Sequence, residues 1–288
     1  MSSGLVLIDK PSGWTSHDVV ARLRKLAGTR RVGHAGTLDP MATGLLLIGV
    51  NSATKLLTFL VGENKTYEAT IRLGAATITD DKESEFTAIA NPDEVQALTI
   101  DKLETVLATL RGPIEQVPSS VSAIKVDGER AYAKVRSGDE VKLKARPVTI
   151  HRFDVIGEPR LVTDGDNTFF DFDAIIDCSS GTYIRALARD LGAALGVGGH
   201  LTALRRTKIG SYSIDQALQL VSQLAQARIK IEYFEQPVSS IAELAELRLK
   251  LKTLGIKIAA DESVRKVSDP LAVAHAAAAD ILVLKAAP

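Results

Sequence analysis

The stretch Gly33-His34-Ala35-Gly36-Thr37-Leu38-Asp39-Pro40-Met41-Ala42-Thr43-Gly44 isolates one carboxylate in basic surroundings. Asp39 is the only acidic residue between Asp18 and Glu63, an interval that also holds Arg22, Arg24, Lys25, Arg30, Arg31 and Lys55. Pro40 biases the residue before it toward an extended backbone, and the glycines let another chain approach closely. A carboxylate held among cations suits a nucleophile or base acting on a polyanion. The same residues also fit an Asx-turn or a helix cap, the commoner use of Asp in a Gly/Pro-rich loop.

Working outward from that loop, Leu5 to Ile8 reads as a short buried strand stopped by Asp9-Lys10-Pro11. Ser16 to Leu26 reads as a helix with Val19, Val20, Leu23 and Leu26 on one face, ended by Gly28. Leu45–Val50, Tyr67–Leu73, Val148–Ile156 and Phe169–Ile176 read as strands, Tyr67–Leu73 alternating apolar with polar. Thr99 or Asp101 caps a helix running to Leu110, and Gly181 to Leu195 reads as a turn followed by a helix. Strands of unequal length interrupted by helices, without regular βαβ alternation, predict an α+β domain.

At 288 residues, 45% hydrophobic and 24% charged, the chain has the mass for one large domain or two smaller ones. No apolar run approaches the roughly 20 residues of a membrane span. Met1-Ser2-Ser3-Gly4 carries no charged leader, so no signal peptide is expected. Cys178 is the only cysteine, which excludes an internal disulfide and points to a reducing cytosol. The net charge of zero averages over segregated blocks. Residues 1–62 carry seven Lys/Arg, residues 121–152 eight and residues 183–208 five, each block with fewer acids. A fold that brings these blocks together makes a phosphate-binding face; otherwise they are solvated surface charge. Ser16-His17-Asp18 has triad residue types, but neighbours in sequence do not converge as a triad does. Gly196-Val197-Gly198-Gly199 lacks the strand-then-helix setting of a dinucleotide loop, and no Cys/His spacing suits zinc.

The run Gly33 to Leu46 resembles the catalytic loop of the TruB family of bacterial tRNA pseudouridine synthases. Lys10-Pro11-Ser12-Gly13-Trp14-Thr15-Ser16 resembles the family's N-terminal lysine–proline motif, and Lys65-Thr66-Tyr67 its tyrosine-bearing strand. Asp177 to Arg185 resembles the second half of its active site, followed by Gly199-His200-Leu201 and Leu204-Arg205-Arg206. Pro118 to Arg136, with Ser122-Ala123-Ile124-Lys125 and Arg130-Ala131-Tyr132, fits as well. The likeness covers about residues 4 to 220 and implies the pseudouridine synthase fold, a central mostly antiparallel sheet with the cleft across its middle. It implies isomerisation of a uridine in the T arm of tRNA, at position 55, by base flipping and without metal or cofactor. Asp39 matches the catalytic aspartate, which either attacks C1′ or removes a sugar proton. Tyr67 matches the tyrosine stacked on the flipped base, and Arg185 the arginine paired with the aspartate. His34 matches the histidine that fills the space left by the base, and Tyr183 and Leu204 match residues lining the uracil pocket. Taken singly, Tyr67, Tyr183 and Leu204 also read as core, Arg185 as surface and His34 as a turn residue. The implied partner is tRNA, through its T-arm stem-loop; no membrane contact is expected, and the protein is expected to act as a cytoplasmic monomer.

After about Leu220 the pattern changes to regular β/α alternation: Ile229–Phe234, Ile256–Ala259 and Ile281–Leu284 as strands, with helix-like 241–254 and 271–279 between them. Tyr233 to Pro237, Ala259 to Ser263 and Asp280 to Lys285 resemble the barrel of the enolase superfamily, nearest its o-succinylbenzoate synthases. That resemblance matches Glu235 and Asp261 to magnesium ligands and Lys285 to a general base. The expected organisation is thus a catalytic domain over 1–222 and a partial β/α segment over 223–288 in place of the family's RNA-binding domain. The alternatives are a tRNA-binding or RNA-folding protein with catalysis impaired by that C-terminus and, more remotely, a magnesium-dependent lyase.

Overall fold

The computed structural model describes residues 3–119, 125–126, 129–130, 143–216, 233–235, 241–252, 257–260, 273–279 and 281–282. In chain order the strands are β1 (Gly4–Lys10), β2 (Val32–Ala35), β3 (Thr43–Val50), β4 (Lys65–Leu73), β5 (Ala75–Thr77), β6 (Phe86–Ile89), β7 (Gly112–Gln116), β8 (Lys125–Val126), β9 (Glu129–Arg130), β10 (Arg146–Asp164), β11 (Asn167–Cys178), β12 (Gly199–Ile209), β13 (Tyr212–Ser213), β14 (Tyr233–Glu235), β15 (Lys257–Ala260) and β16 (Ile281–Leu282). The helices are α1 (Ser16–Ala27), α2 (Leu57–Val61), α3 (Pro92–Gln96), α4 (Ile100–Leu110), α5 (Ile184–Ala194) and α6 (Ile241–Lys252). This is the expected α+β class, built on a central, mostly antiparallel sheet. The chain divides into two compact units, 1–58 with 211–288, and 59–210.

In the first unit β3 pairs antiparallel with β1 and with β2. Thr15 and Asp18 start α1 as a capping box, each side chain accepting from the other's backbone N–H, and Gly28 ends it with φ 58°. The helix lays Val19 and Val20 on Val32, Leu46, Ile48 and Val50, with Trp14, Leu23 and Ala27 packed alongside. Leu26, expected on this face, sits in the last turn and is 72% exposed; Ala27 takes the contact instead. In the C-terminal segment β14, β15 and β16 form a parallel sheet in that order, with α6 between β14 and β15 in the chain. The strands and α6 follow the β/α pattern read from the sequence there; within the expected helix 271–279, residues 273–275 are helical and 276–277 form a turn.

In the second unit the strand order is β12-β4-β11-β10-β7, antiparallel throughout. Along β4, Lys65, Tyr67, Ala69, Ile71 and Leu73 are buried while the residues between them are not, the period-two pattern expected of this strand. Periodicity gives no strand at Gly199–Ile209, yet β12 is a full partner of β4. Register shifts at Leu201/Ala203 and Arg206/Lys208 break its alternation, which is why the pattern conceals it. Helix α5 buries Ile184, Leu187, Ala188 and Leu191. It turns back through Gly196–Gly198 so closely that a Cβ on Gly192 would fall on the backbone of Gly198 and Gly199. Gly192→Ala should therefore destabilise the protein by about 1–3 kcal/mol, the usual cost of overpacking, seen as a lower thermal midpoint; an unchanged midpoint contradicts this packing.

Candidate active site

Asp39 lies half-buried in the connection between β2 and β3, and the segment 10–16 fastens that connection on both sides of it. Lys10 is fully buried, and its Nζ donates to the carbonyl oxygens of Pro11 (2.9 Å), Trp14 (2.7 Å) and Pro40 (3.2 Å). Gly13 N also donates to Pro40 O (2.8 Å), and Ser12 Oγ to Met41 O (3.2 Å). Buried Ser16 grips the peptide before Asp39: its Oγ donates to Leu38 O (3.2 Å) and accepts from Leu38 N (2.9 Å). Gly36 and Gly44, at φ 84° and 100°, bend the chain at either end of the connection, in a region that side-chain-bearing residues avoid. His34 on β2 meets His17 edge-to-face at 5.6 Å. Ser16, His17 and Asp18 thus have three separate tasks: a loop clamp, a ring contact and a helix cap.

In the second unit Tyr67 is buried on β4, opposite Ile176 on β11 and Arg206 on β12. The Arg206 guanidinium, itself buried, stands 6.0 Å from the Tyr67 ring centre. Leu204, buried and paired with Ala69, shares that face of the sheet, because residues two apart point the same way. Lys65 donates to the carbonyl oxygens of Val61 and Glu63. Burial, with Arg206 nearby, lowers its pKa to about 8. Burial pushes the thiol of Cys178, the cross-strand partner of Lys65, up to about 11, so it is not a thiolate nucleophile at neutral pH. Buried His200 pairs Nδ1 with Ala75 O at 2.9 Å, and burial lowers its pKa, favouring the neutral ring.

The start of α5 is held by several side chains. The Gln116 side chain brackets the Tyr183 peptide, donating to its carbonyl (3.1 Å) and accepting from its N–H (2.8 Å). Arg185 is buried; its Nη1 donates to Thr79 O (2.7 Å) and lies 3.4 Å from Asp81 Oδ2. One turn later Arg189 Nη1 meets Asp80 Oδ2 at 3.2 Å, and Nη2 donates to Val117 O at 2.7 Å. Ser119 Oγ donates to the same Asp80 oxygen at 2.6 Å. Burial raises the Asp80 carboxyl pKa, against the opposing pull of Ser119 and Arg189.

Two family models match adjoining stretches of the chain. "TruB family pseudouridylate synthase (N terminal domain)" covers residues 24–184, and "tRNA pseudouridylate synthase B C-terminal domain" covers residues 185–248. The chain belongs to the TruB family. The tRNA pseudouridine synthase B of Paenarthrobacter aurescens (strain TC1) is 59% identical over 265 residues, 90% of this chain and 82% of that protein. That of Leifsonia xyli subsp. xyli (strain CTCB07) is 59% identical over 222 residues, 77% of this chain and 72% of the relative. A solved Cbf5-Nop10-Gar1 complex contains a chain with the same fold: TM-score 0.54, 23% identity, covering 84% of this chain and 67% of that one.

These matches correct the reading of the C-terminal segment. The family's own C-terminal domain model runs to residue 248, and an alignment of 265 residues cannot fit within the first 222. The enolase-superfamily resemblance finds no support in them. A strand–helix–strand rhythm and short strings at strand ends occur in many folds, so they do not identify a family. Glu235 ends β14, while Asp261 and Lys285 lie outside the described residues.

Of the residues singled out by sequence, Asp39 and His34 fall in the first unit, and Tyr67, Tyr183, Arg185 and Leu204 in the second. Most of Pro118–Arg136 lies outside the described residues. The reading of the 183–208 block as phosphate-facing does not hold for Arg185 and Arg206, which are buried. Sequence reasoning missed Gln116, Asp80, Asp81 and Arg189. The adjacent acids of Thr77-Ile78-Thr79-Asp80-Asp81 belong to none of the motifs and counted there only as charge balance. Ser16→Ala leaves both Leu38 backbone groups without their hydroxyl partner and should cost about 1–3 kcal/mol in denaturant unfolding. The Leu38 amide should then exchange hydrogen faster than in the parent; equal stability and exchange remove the clamp.

Proposed function

We propose that this protein isomerises a uridine of tRNA to pseudouridine, acting on the T arm at position 55. The observation that supports it most is the fastening of the Asp39 connection by buried Lys10 and Ser16, which gives one carboxylate a fixed place. Reaching the C1′–N1 bond of a nucleotide within folded RNA requires flipping it out of its stack. The C1′–N1 bond then breaks, the uracil turns, and a C1′–C5 bond forms; C5 loses a proton and N1 gains one. Substrate and product are isomers, so the balance needs no redox partner, group donor or cofactor. Asp39 acts either by attack on C1′ or by removing a sugar proton.

In this reading Tyr67 stacks on the flipped base, an interaction of about 1–3 kcal/mol per base. Arg185 orients the aspartate, His34 fills the vacated space, and Tyr183 and Leu204 line the uracil pocket. The protein works as a cytoplasmic monomer on the T-arm stem-loop. The matched site residues all precede Leu220, so residues 1–222 carry the chemistry and residues 223–288 contribute to RNA affinity.

Asp39→Asn keeps the shape of the side chain and removes its charge. It should lower turnover of a T-arm stem-loop by several powers of ten, as expected for loss of a nucleophile or base. RNA binding should stay within a few-fold; residual turnover above about one per cent would take Asp39 out of this role. A chain ended after Ser222 should retain turnover on the same RNA with a raised KM, and an insoluble or inactive truncation places the C-terminal segment within the catalytic fold.

A further inference from the structure

Asp80 and Asp81 are neighbours in the chain, yet their side chains reach two arginines one helical turn apart on α5. Asp81 meets Arg185 at 3.4 Å, and Asp80 meets Arg189 at 3.2 Å. Adjacent side chains on an extended backbone point to opposite sides. Here Asp80 adopts φ 57°, a left-handed conformation uncommon for a residue with a side chain. Positions four apart on a helix share one face, so the bend at Asp80 lets consecutive carboxylates address a single face of α5. The segment is also pinned from behind: Asp80 O accepts from Leu201 N (3.0 Å) on β12. On its other side Asp80 holds buried Ser119, and Arg189 reaches back to Val117 O.

A cation in the first turn of a helix opposes the helix dipole, so Arg185 needs external support. Asp81 and Thr79 O give that support directly. They stand on the chain that Asp80 fixes, and α5 is held in rotation by Arg189 on the same face. We infer that Asp80, through Arg189 and Ser119, is a positioning residue that sets the guanidinium of Arg185. This rests on the isomerase reading, in which Arg185 serves the uridine site.

The test compares Asp80→Asn, Arg189→Gln and the double variant with the parent protein. It measures kcat and KM on a T-arm stem-loop together with the thermal midpoint. Asparagine tolerates positive φ and still accepts from Ser119, so Asp80→Asn removes the ion pair with little other change. Displacing a catalytic neighbour by a fraction of an ångström suffices to slow chemistry, so kcat should fall roughly tenfold while KM stays within about twofold. Arg189→Gln should do the same, and the double variant should fall no further, because both substitutions remove one interaction. Should Asp80→Asn unfold below the assay temperature, Arg189→Gln, at a partly exposed position, decides the matter. An active parent with kcat unchanged in the variants, or with losses that multiply in the double, overturns the inference alone. A parent inactive on the RNA overturns the isomerase reading, and this inference with it.

Discussion

The ammonium of Lys10 has no exposed surface and three carbonyl oxygens within hydrogen-bond reach, and the placement of Asp39 depends on it. An ammonium has three donors and accepts nothing. Stripping it of water costs several kcal/mol unless each donor finds an oxygen. Two of those oxygens, from Pro11 and Trp14, come from its own loop, and the third belongs to Pro40, the residue after Asp39. Burying this charge with the Pro40 carbonyl as a partner brings the connection 36–42 to the segment 10–16. Once there, Gly13, Ser12 and Ser16 add bonds to Pro40, Met41 and Leu38. A run of seven residues near the N-terminus thus acts as the mould for a loop more than twenty residues downstream.

The second unit solves a similar problem with more charges. Arg185 and Arg206 are buried, and Asp80 and Asp81 are buried with them. Ion pairs in such surroundings add little net stability, but breaking one leaves an uncompensated charge. Their worth lies in fixing geometry. A net charge of zero conceals this division, since a buried arginine paired with aspartate and an exposed one count equally in the sum.

The C-terminal segment separates two kinds of inference. The β/α rhythm after Leu220 correctly implies parallel pairing, because β14, β15 and β16 each need a crossover to run the same way. The same rhythm carries no family information, and the short strings resembling enolase-superfamily strand ends misled. The longer motifs of residues 4–220, five in order, identified the family because each fixes several chemically distinct residues at set spacing.

By itself the sequence determined the α+β class, the glycine that ends α1, the start of α4 to within two candidate caps and the alternating face of β4, and it nominated the residues of the candidate site. These follow from local chemistry or from motif. Gly28 and Thr99 act on their own neighbours, and period-two burial is a property of one strand. Strand β12 was hidden, because two bulges erase its alternation and buried Arg206 reads as a surface residue. The grip of Lys10 and Ser16 on the Asp39 connection was equally hidden, as was that of Gln116, Asp80 and Asp81 on the start of α5. Those contacts join residues about 22 to 109 positions apart in the chain. Only the tertiary structure decides them, because a lone Ser, Gln or Asp has no local preference that names its partner.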